Sequence, residues 1–273
     1  MNEKMKRRET RMITSTANAQ VKAVVQLQKK AKEREAKQLF VIEGWKLFEE
    51  IKRDAPTHIE KTYVTEEFLQ QSEQAVLLED VQYETVSPEV MQTMAETMTP
   101  QGILALVRMP KYTLASMLEK EDGLLVLLEE LRDPGNLGTI MRTAEGAGAA
   151  GIVLSKGSVD MYNPKVVRST MGAIFRMPFV YVDDFGETLS ELKKQGVTLY
   201  AAHLQGKNFY DEENYVGKTG LLIGNEANGL TEETAALADR LIKIPMEGKV
   251  ESLNAAVATA ILMYEVYRKK RSK

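Results

Sequence analysis

The chain contains no cysteine. Disulfides and thiolate metal sites are therefore excluded. Histidine is nearly absent as well: only His58 and His203 occur, too few for an imidazole-based metal cage. No apolar run approaches the roughly 18 residues that a membrane-spanning helix needs. The opening stretch MNEKMKRRETRMITSTANAQ is basic and polar and holds no apolar signal core. There is one tryptophan, and only 7% of the 273 residues are aromatic. What remains is 44% hydrophobic and 27% charged, an ordinary globular composition. The expectation is a cytoplasmic, metal-free protein of one large domain or two ordinary ones.

Charge is unevenly placed. The net charge is −3, yet residues 1–37 hold 11 Lys/Arg against 4 Asp/Glu, or +7, so the rest carries −10. The chain closes on RKKRSK. Basic ends on an acidic body suit contact with a polyanion, although Lys-rich surfaces also serve solubility alone. The spacing predicts a helix over residues 20–37, with Val21, Val24, Val25 and Leu27 on one side and cations elsewhere.

Two domains are expected. Residues 1–14 read as a basic tail. From 15 to 108, the strand candidates Leu39–Glu43, Thr62–Val64, Gln82–Val86 and Ile103–Arg108 alternate with helices, one of them Trp45–Arg53. Ser87 before Pro88 is a helix start. A small α/β sandwich fits. Residues 109–122 read as a linker. From 123 to 273, apolar strands (124–128, 151–154, 178–182, 197–202, 220–224 and 241–244) are separated by helices at 139–147, 165–175, 185–195, 231–239 and 252–270. Continuous apolar strands between helices mean a parallel sheet covered on both faces. Ligands of such sheets bind beyond the strands' carboxyl ends.

The run Gly146-Ala-Gly148-Ala-Ala-Gly151 matches GxGxxG, but a helix precedes it and a strand follows. That order is reversed from the dinucleotide fingerprint, so a helix cap and tight turn is expected instead. No Walker motif occurs.

Three loops carry candidate chemistry. In LRDPGNLGTIMRTA, Arg142 follows Asn136 by six residues, and both would face one pocket if the helix starts near Leu137. In LIGNEANGL, two glycines flank Glu226 just past a buried strand. In IPMEGKVESLNAA, Ser252 is a candidate cap for the last helix. Taken singly, each also reads as an ordinary turn or cap.

Together, in this order and spacing, these motifs and the stretch NPKVVRSTMGAIFRMP resemble the SpoU (TrmH-type) branch of the SPOUT RNA methyltransferases over residues 123–268. Residues NAQVKAVVQLQKKAKEREAKQLFVIEGWKLFEE and TPQGILALV resemble that family's RNA substrate-binding domain, akin to ribosomal RNA-binding proteins. The resemblance implies a parallel-sheet SPOUT domain with a C-terminal trefoil knot, a homodimer with its active site at the subunit interface, and transfer of a methyl group from S-adenosylmethionine to a ribose 2′-hydroxyl. It implies a cofactor pocket at Gly224, Asn225, Ile244, Met246, Ser252 and Leu253. It implies a catalytic arginine at Arg142 and polar active-site residues at Asn136, Glu226, Ser252 and Asn254. Where many relatives carry Val and Ser after that asparagine, this chain has Ala255 and Ala256. Arg142 is the base in the family reading; an arginine keeps its proton up to about pH 12, so stabilisation of the alkoxide is the other role open to it. A full N-terminal domain favours ribosomal over transfer RNA, with Lys22, Lys29, Lys30, Arg34, Arg142 and Arg168 as RNA contacts. No membrane and no DNA is expected among the partners. A non-catalytic assembly factor and a base methylase are the rival readings.

Overall fold

A computed structural model describes residues 12–71 and 76–272; residues 1–11 of the expected tail lie outside the described residues. The chain divides between Pro110 and Lys111 into two compact units.

The first unit contains α1 (Ala19–Lys29), α2 (Ala31–Lys37), β1 (Leu39–Glu43), α3 (Trp45–Asp54), β2 (Ile59–Val64), α4 (Glu66–Gln70), β3 (Tyr83–Thr85), α5 (Pro88–Met94) and β4 (Ile103–Arg108). Its sheet order is β1-β4-β2-β3; β4 pairs antiparallel with β1 and β2, and β3 parallel with β2. Val21, Val24 and Leu27 of α1 are buried with Val41, Tyr63, Val90 and Leu104. Each such aliphatic side chain contributes about 1.5–3 kcal/mol on burial. Ser87 caps α5 by accepting from Val90 N–H.

The expected helix over 20–37 is broken. Lys30 is extended (φ −126°, ψ 116°) and separates α1 from α2. The exposed carbonyls are covered from within: Arg34, only 4% exposed, folds back and donates to Leu27 O (2.6 Å) and Gln28 O (3.1 Å).

The second unit holds α6 (Leu114–Met117), β5 (Leu124–Leu128), α7 (Pro134–Gly146), β6 (Gly151–Ser155), α8 (Pro164–Ser169), β7 (Phe179–Val182), α9 (Phe185–Lys194), β8 (Thr198–Ala202), β9 (Asn208–Phe209), β10 (Thr219–Ile223), α10 (Glu232–Leu237), β11 (Arg240–Lys243) and α11 (Ala255–Arg271). Its sheet is parallel throughout, in the order β7-β6-β5-β10-β8-β11-β9. Strands β5, β6 and β10 are buried along their whole length, which is why their sequences are unbroken apolar runs rather than alternations.

Part of the expected linker belongs to this unit. Met117 is buried with Leu125, Leu127 and Val153, and a Cβ on Gly151 would lie 2.4 Å from its sulfur. The expected helix over 165–175 stops at Ser169, because Met171 (φ 50°) and Gly172 (φ 91°) are left-handed. The GxGxxG run is a helix end. Gly148 (φ 67°) donates to Glu145 O and Ala149 to Ala144 O, the paired bonds of a Schellman motif.

Candidate functional site

The site is built at the carboxyl ends of β5 and β10, where the strand order switches between them. After β5 the chain turns through Glu129–Asp133 into α7. Asp133 caps that helix: its side chain accepts from Asn136 N–H at 2.7 Å, and Pro134 fills the first helical position. Asn136 is therefore fixed in the first turn and is 9% exposed.

Glu226 reaches across from the loop after β10. Its carboxylate accepts from the N–H groups of Asp133 (2.9 Å) and Arg132 (3.2 Å) and from Asn136 Nδ2 (3.1 Å). Asn136 Oδ1 in turn accepts from Asn254 Nδ2 at 2.9 Å. Asn254 Oδ1 accepts from the N–H groups of Ala256 and Val257 and so caps α11. The direction of this chain is fixed at both ends. A carboxylate only accepts and a backbone N–H only donates, so each amide between them has one workable orientation. Burial alone would raise the Glu226 carboxyl; the donors from Asp133, Asn136 and Arg132 outweigh it and hold the group below the usual carboxylate range.

Beside this relay lies a cavity of about 400 Å³, within the usual range for small-molecule sites. Its walls are the loops after β8, β10 and β11 together with the start of α11. All six expected cofactor residues, Gly224, Asn225, Ile244, Met246, Ser252 and Leu253, line it, as does Glu226. Glycine is required at 224: an added Cβ would lie 2.1 Å from the carbonyl carbon of Gly229 and 2.2 Å from Leu230 N. The two strands of this loop are pinched by reciprocal Asn225–Gly229 backbone bonds (3.0 and 2.9 Å). A cradle of backbone this close, with apolar walls from Ile223, Leu230, Ile242 and Leu262, fits a nucleoside-sized cofactor.

The structure does not place every expected residue here. Helix α7 begins at Pro134 rather than near Leu137, and six residues then turn Arg142 about 240° away from Asn136. Arg142 is exposed and does not line the cavity, and its side chain makes no hydrogen bond or ion pair with any described residue. Ser252 lines the cavity, but it is not the cap of the last helix; Asn254 is. Arg168 is half-buried in the last turn of α8. Lys22, Lys29 and Lys30 are exposed. Arg34 is a correction: its guanidinium is buried on the α1 carbonyls and is unavailable to RNA.

Sequence reasoning missed Glu129. It is buried, and it accepts from Thr231 N–H (2.8 Å), the Thr231 hydroxyl (2.8 Å) and the Thr234 hydroxyl. It thereby ties the end of β5 to the start of α10 behind the glycine loop. A carboxylate directly after five apolar strand residues was the available signal.

A family profile described as the SpoU rRNA Methylase family matches residues 123–264, and one described as an MRM3-like substrate binding domain matches residues 18–105. The chain is 35% identical over 262 residues to the 23S rRNA (guanosine(2553)-2′-O)-methyltransferase RlmP of Bacillus subtilis, covering 94% of this chain and 99% of that one. It is 33% identical over 204 residues to the 23S rRNA (uridine(2479)-2′-O)-methyltransferase of Streptomyces viridochromogenes, covering 72% and 71%. Among solved structures, the SpoU methyltransferase AviRb from S. viridochromogenes in complex with AdoMet superimposes with a TM-score of 0.85 at 29% identity, over 93% of this chain and 99% of that one. An AdoMet-bound rRNA methyltransferase from Sinorhizobium meliloti gives 0.81 at 30% identity, over 94% and 97%.

Proposed function

Because the chain belongs to the SpoU rRNA methylase family, we propose that it is an S-adenosylmethionine-dependent RNA methyltransferase acting on a ribose 2′-hydroxyl of ribosomal RNA, in the large subunit. The observation that carries the reading is the polar relay Glu226–Asn136–Asn254 set against a glycine-walled cavity that suits the cofactor. Relatives named for large-subunit rRNA span nearly the whole chain, and the substrate-binding profile covers residues 18–105. The named relatives act on guanosine and on uridine, so family membership leaves the base open.

S-adenosylmethionine supplies a sulfonium-bound methyl group. The chain's task is to hold it and to present an oriented, activated hydroxyl. Backbone around Gly224, Ile244 and Leu253 holds the adenosine, with Asn225, Met246 and Ser252 on the walls. Ser252 and Asn254 orient the nucleophile. Asn136 and Glu226 keep the three loops in register. Arg142 stays cationic and stabilises the developing alkoxide while the hydroxyl proton passes to solvent water. Its outward position on α7 supports a homodimer in which a second copy brings Arg142 to the site. The exposed apolar residues Val257, Tyr264 and Tyr267 on α11 support the same assembly. The knotted threading of residues 244–271 belongs to this proposal, as does a cytoplasmic location. DNA lacks the 2′-hydroxyl and is not a substrate. Exposed Lys22, Lys29 and Lys30 of the first unit and Arg168 of the second contact the RNA backbone.

The test is methyl transfer from labelled S-adenosylmethionine to unmodified large-subunit rRNA, small-subunit rRNA and bulk tRNA, with products digested to nucleosides and weighed. A 2′-O-methylnucleoside in large-subunit rRNA is expected. Arg142→Ala abolishes turnover and leaves cofactor binding intact; a collapse of cofactor affinity in that variant refutes the role given to Arg142.

A further inference from the structure

Glu130 lies two residues past the end of β5, in a conformation that a side chain rarely adopts. Its φ is 48°, which costs any non-glycine residue free energy. Both sides of its peptide are pinned: Glu130 N–H donates to Ser155 Oγ (2.8 Å), and its carbonyl accepts from Asn225 Nδ2 (2.9 Å). The side chain lies over Gly157, where a Cβ would come within 3.1 Å of Glu130 Cγ. Yet the carboxylate is half exposed and among the described residues is paired only with Arg132, at 2.8 Å, with side-chain exposures of 50% and 68%. Arg132 is anchored too, through its N–H to Glu226. Strain held at a functional site for an exposed charged group points to use of that group. The position agrees. The cavity lies on the β10–β8–β11 side of the switch point, Gly157 follows β6 on the other side, and the relay stands between them.

We propose that Glu130 reads the base of the target nucleotide, that Arg132 holds its phosphate, and that the base is guanine; the inference rests on the cavity being the cofactor site. A carboxylate offers two acceptors and no donor. Only guanine presents two adjacent donors, N1–H and N2–H, on its Watson–Crick edge. Adenine and cytosine pair a donor with an acceptor there, and uracil flanks its single N–H with two carbonyls that repel a carboxylate. An unpaired nucleotide exposes this edge. The exposed Glu130–Arg132 pair contributes little by itself, so a phosphate takes over the guanidinium fork and leaves the carboxylate free for the base.

The test compares wild type with Glu130→Gln, Glu130→Gly and Arg132→Ala on unmodified large-subunit rRNA. It reads the modified nucleoside by mass, kcat/KM for RNA, Kd for S-adenosylmethionine and Tm. Wild type is expected to yield 2′-O-methylguanosine. Glu130→Gln lowers kcat/KM by roughly 5- to 150-fold with cofactor Kd unchanged. Glu130→Gly relieves the backbone and melts no lower than wild type, but it loses the same factor, which separates recognition from folding. Arg132→Ala reduces the salt slope of RNA binding by about one. A different 2′-O-methylnucleoside, or wild-type kcat/KM in Glu130→Gly, overturns the proposal while leaving the reaction standing. No transfer by wild type to any RNA overturns the underlying reading and this inference with it.

Discussion

Removing the Glu226 carboxylate tests the relay directly. Glu226→Ala takes the acceptor away from the N–H groups of Arg132 and Asp133 and from the Asn136 amide. A hydrogen bond to a charged group contributes about 1.5–3 kcal/mol in a buried setting. Glu226 sits on an exposed loop, and solvent reduces each to about 0.5–1 kcal/mol. The three together come to about 1.5–3 kcal/mol, or a fall of about 3–12 °C in the Tm of a unit this size. Glu226→Gln keeps one acceptor and turns a donor toward a donor, costing about 1 kcal/mol by the same reasoning. Scanning calorimetry of the full chain at pH 7 reads both. The pH dependence supplies a second check. The folded carboxyl titrates below its ordinary range. Its contribution is therefore complete above about pH 4.3 and fades as pH falls through the lower folded value. The gap between wild type and Glu226→Ala should narrow below about pH 4. Coupling to Asn136→Ala should reach about 0.5 kcal/mol or more in a double-mutant cycle. Equal Tm values at pH 7, a gap that persists undiminished in acid, or simple additivity with Asn136→Ala would each refute the relay.

The remaining predictions are brief. Gly224→Ala drives a Cβ into the Gly229–Leu230 backbone and should abolish S-adenosylmethionine binding by calorimetry; micromolar affinity in that variant would place the cofactor elsewhere. Charge reversal at Lys22, Lys29 and Lys30 should reduce the salt slope of RNA binding by at least about two, with Tm unchanged. Arg34→Ala should do the opposite. It strips the donors from the carbonyls of Leu27 and Gln28, lowers stability by about 2–4 kcal/mol, and leaves the salt slope alone.

Much of the fold is legible in the sequence where one physical signal dominates. Leu39–Glu43, Ile103–Arg108 and Leu124–Leu128 are strands with the expected bounds, because unbroken apolar runs between turn residues leave no helical alternative. The reversed GxGxxG is legible from element order alone. The break at Lys30 is not, since residues 28–37 offer neither a proline nor a glycine to mark it; the buried Arg34 guanidinium takes up the Leu27 and Gln28 carbonyls that the break leaves open. Strand β9, two residues long, has no sequence period to detect. The break at Met171 escapes because a left-handed methionine has no compositional mark. At the site, the six cofactor residues named from the motifs line the cavity and Arg142 does not, since in a helix that begins at Pro134 six residues turn it about 240° from Asn136.

The choice of cap for α11 shows why helix signals and site signals are hard to separate. Serine and asparagine cap helices about equally well, so local rules cannot prefer Asn254 to Ser252. The difference appears only when the cap must do two things at once. Asn254 Oδ1 receives the N–H groups of Ala256 and Val257, while its Nδ2 donates to Asn136. A hydroxyl has no second, separately directed end, and an aspartate would keep the cap but offer no donor to Asn136. The amide links the helix N-terminus, through its oxygen, to a carboxylate-anchored neighbour, through its nitrogen. Asp133 works in the same way at α7, capping the helix with its side chain while its N–H holds Glu226. Helix termination and site assembly are one set of hydrogen bonds here, so whatever frays either helix start also loosens the Glu226 wall of the cavity.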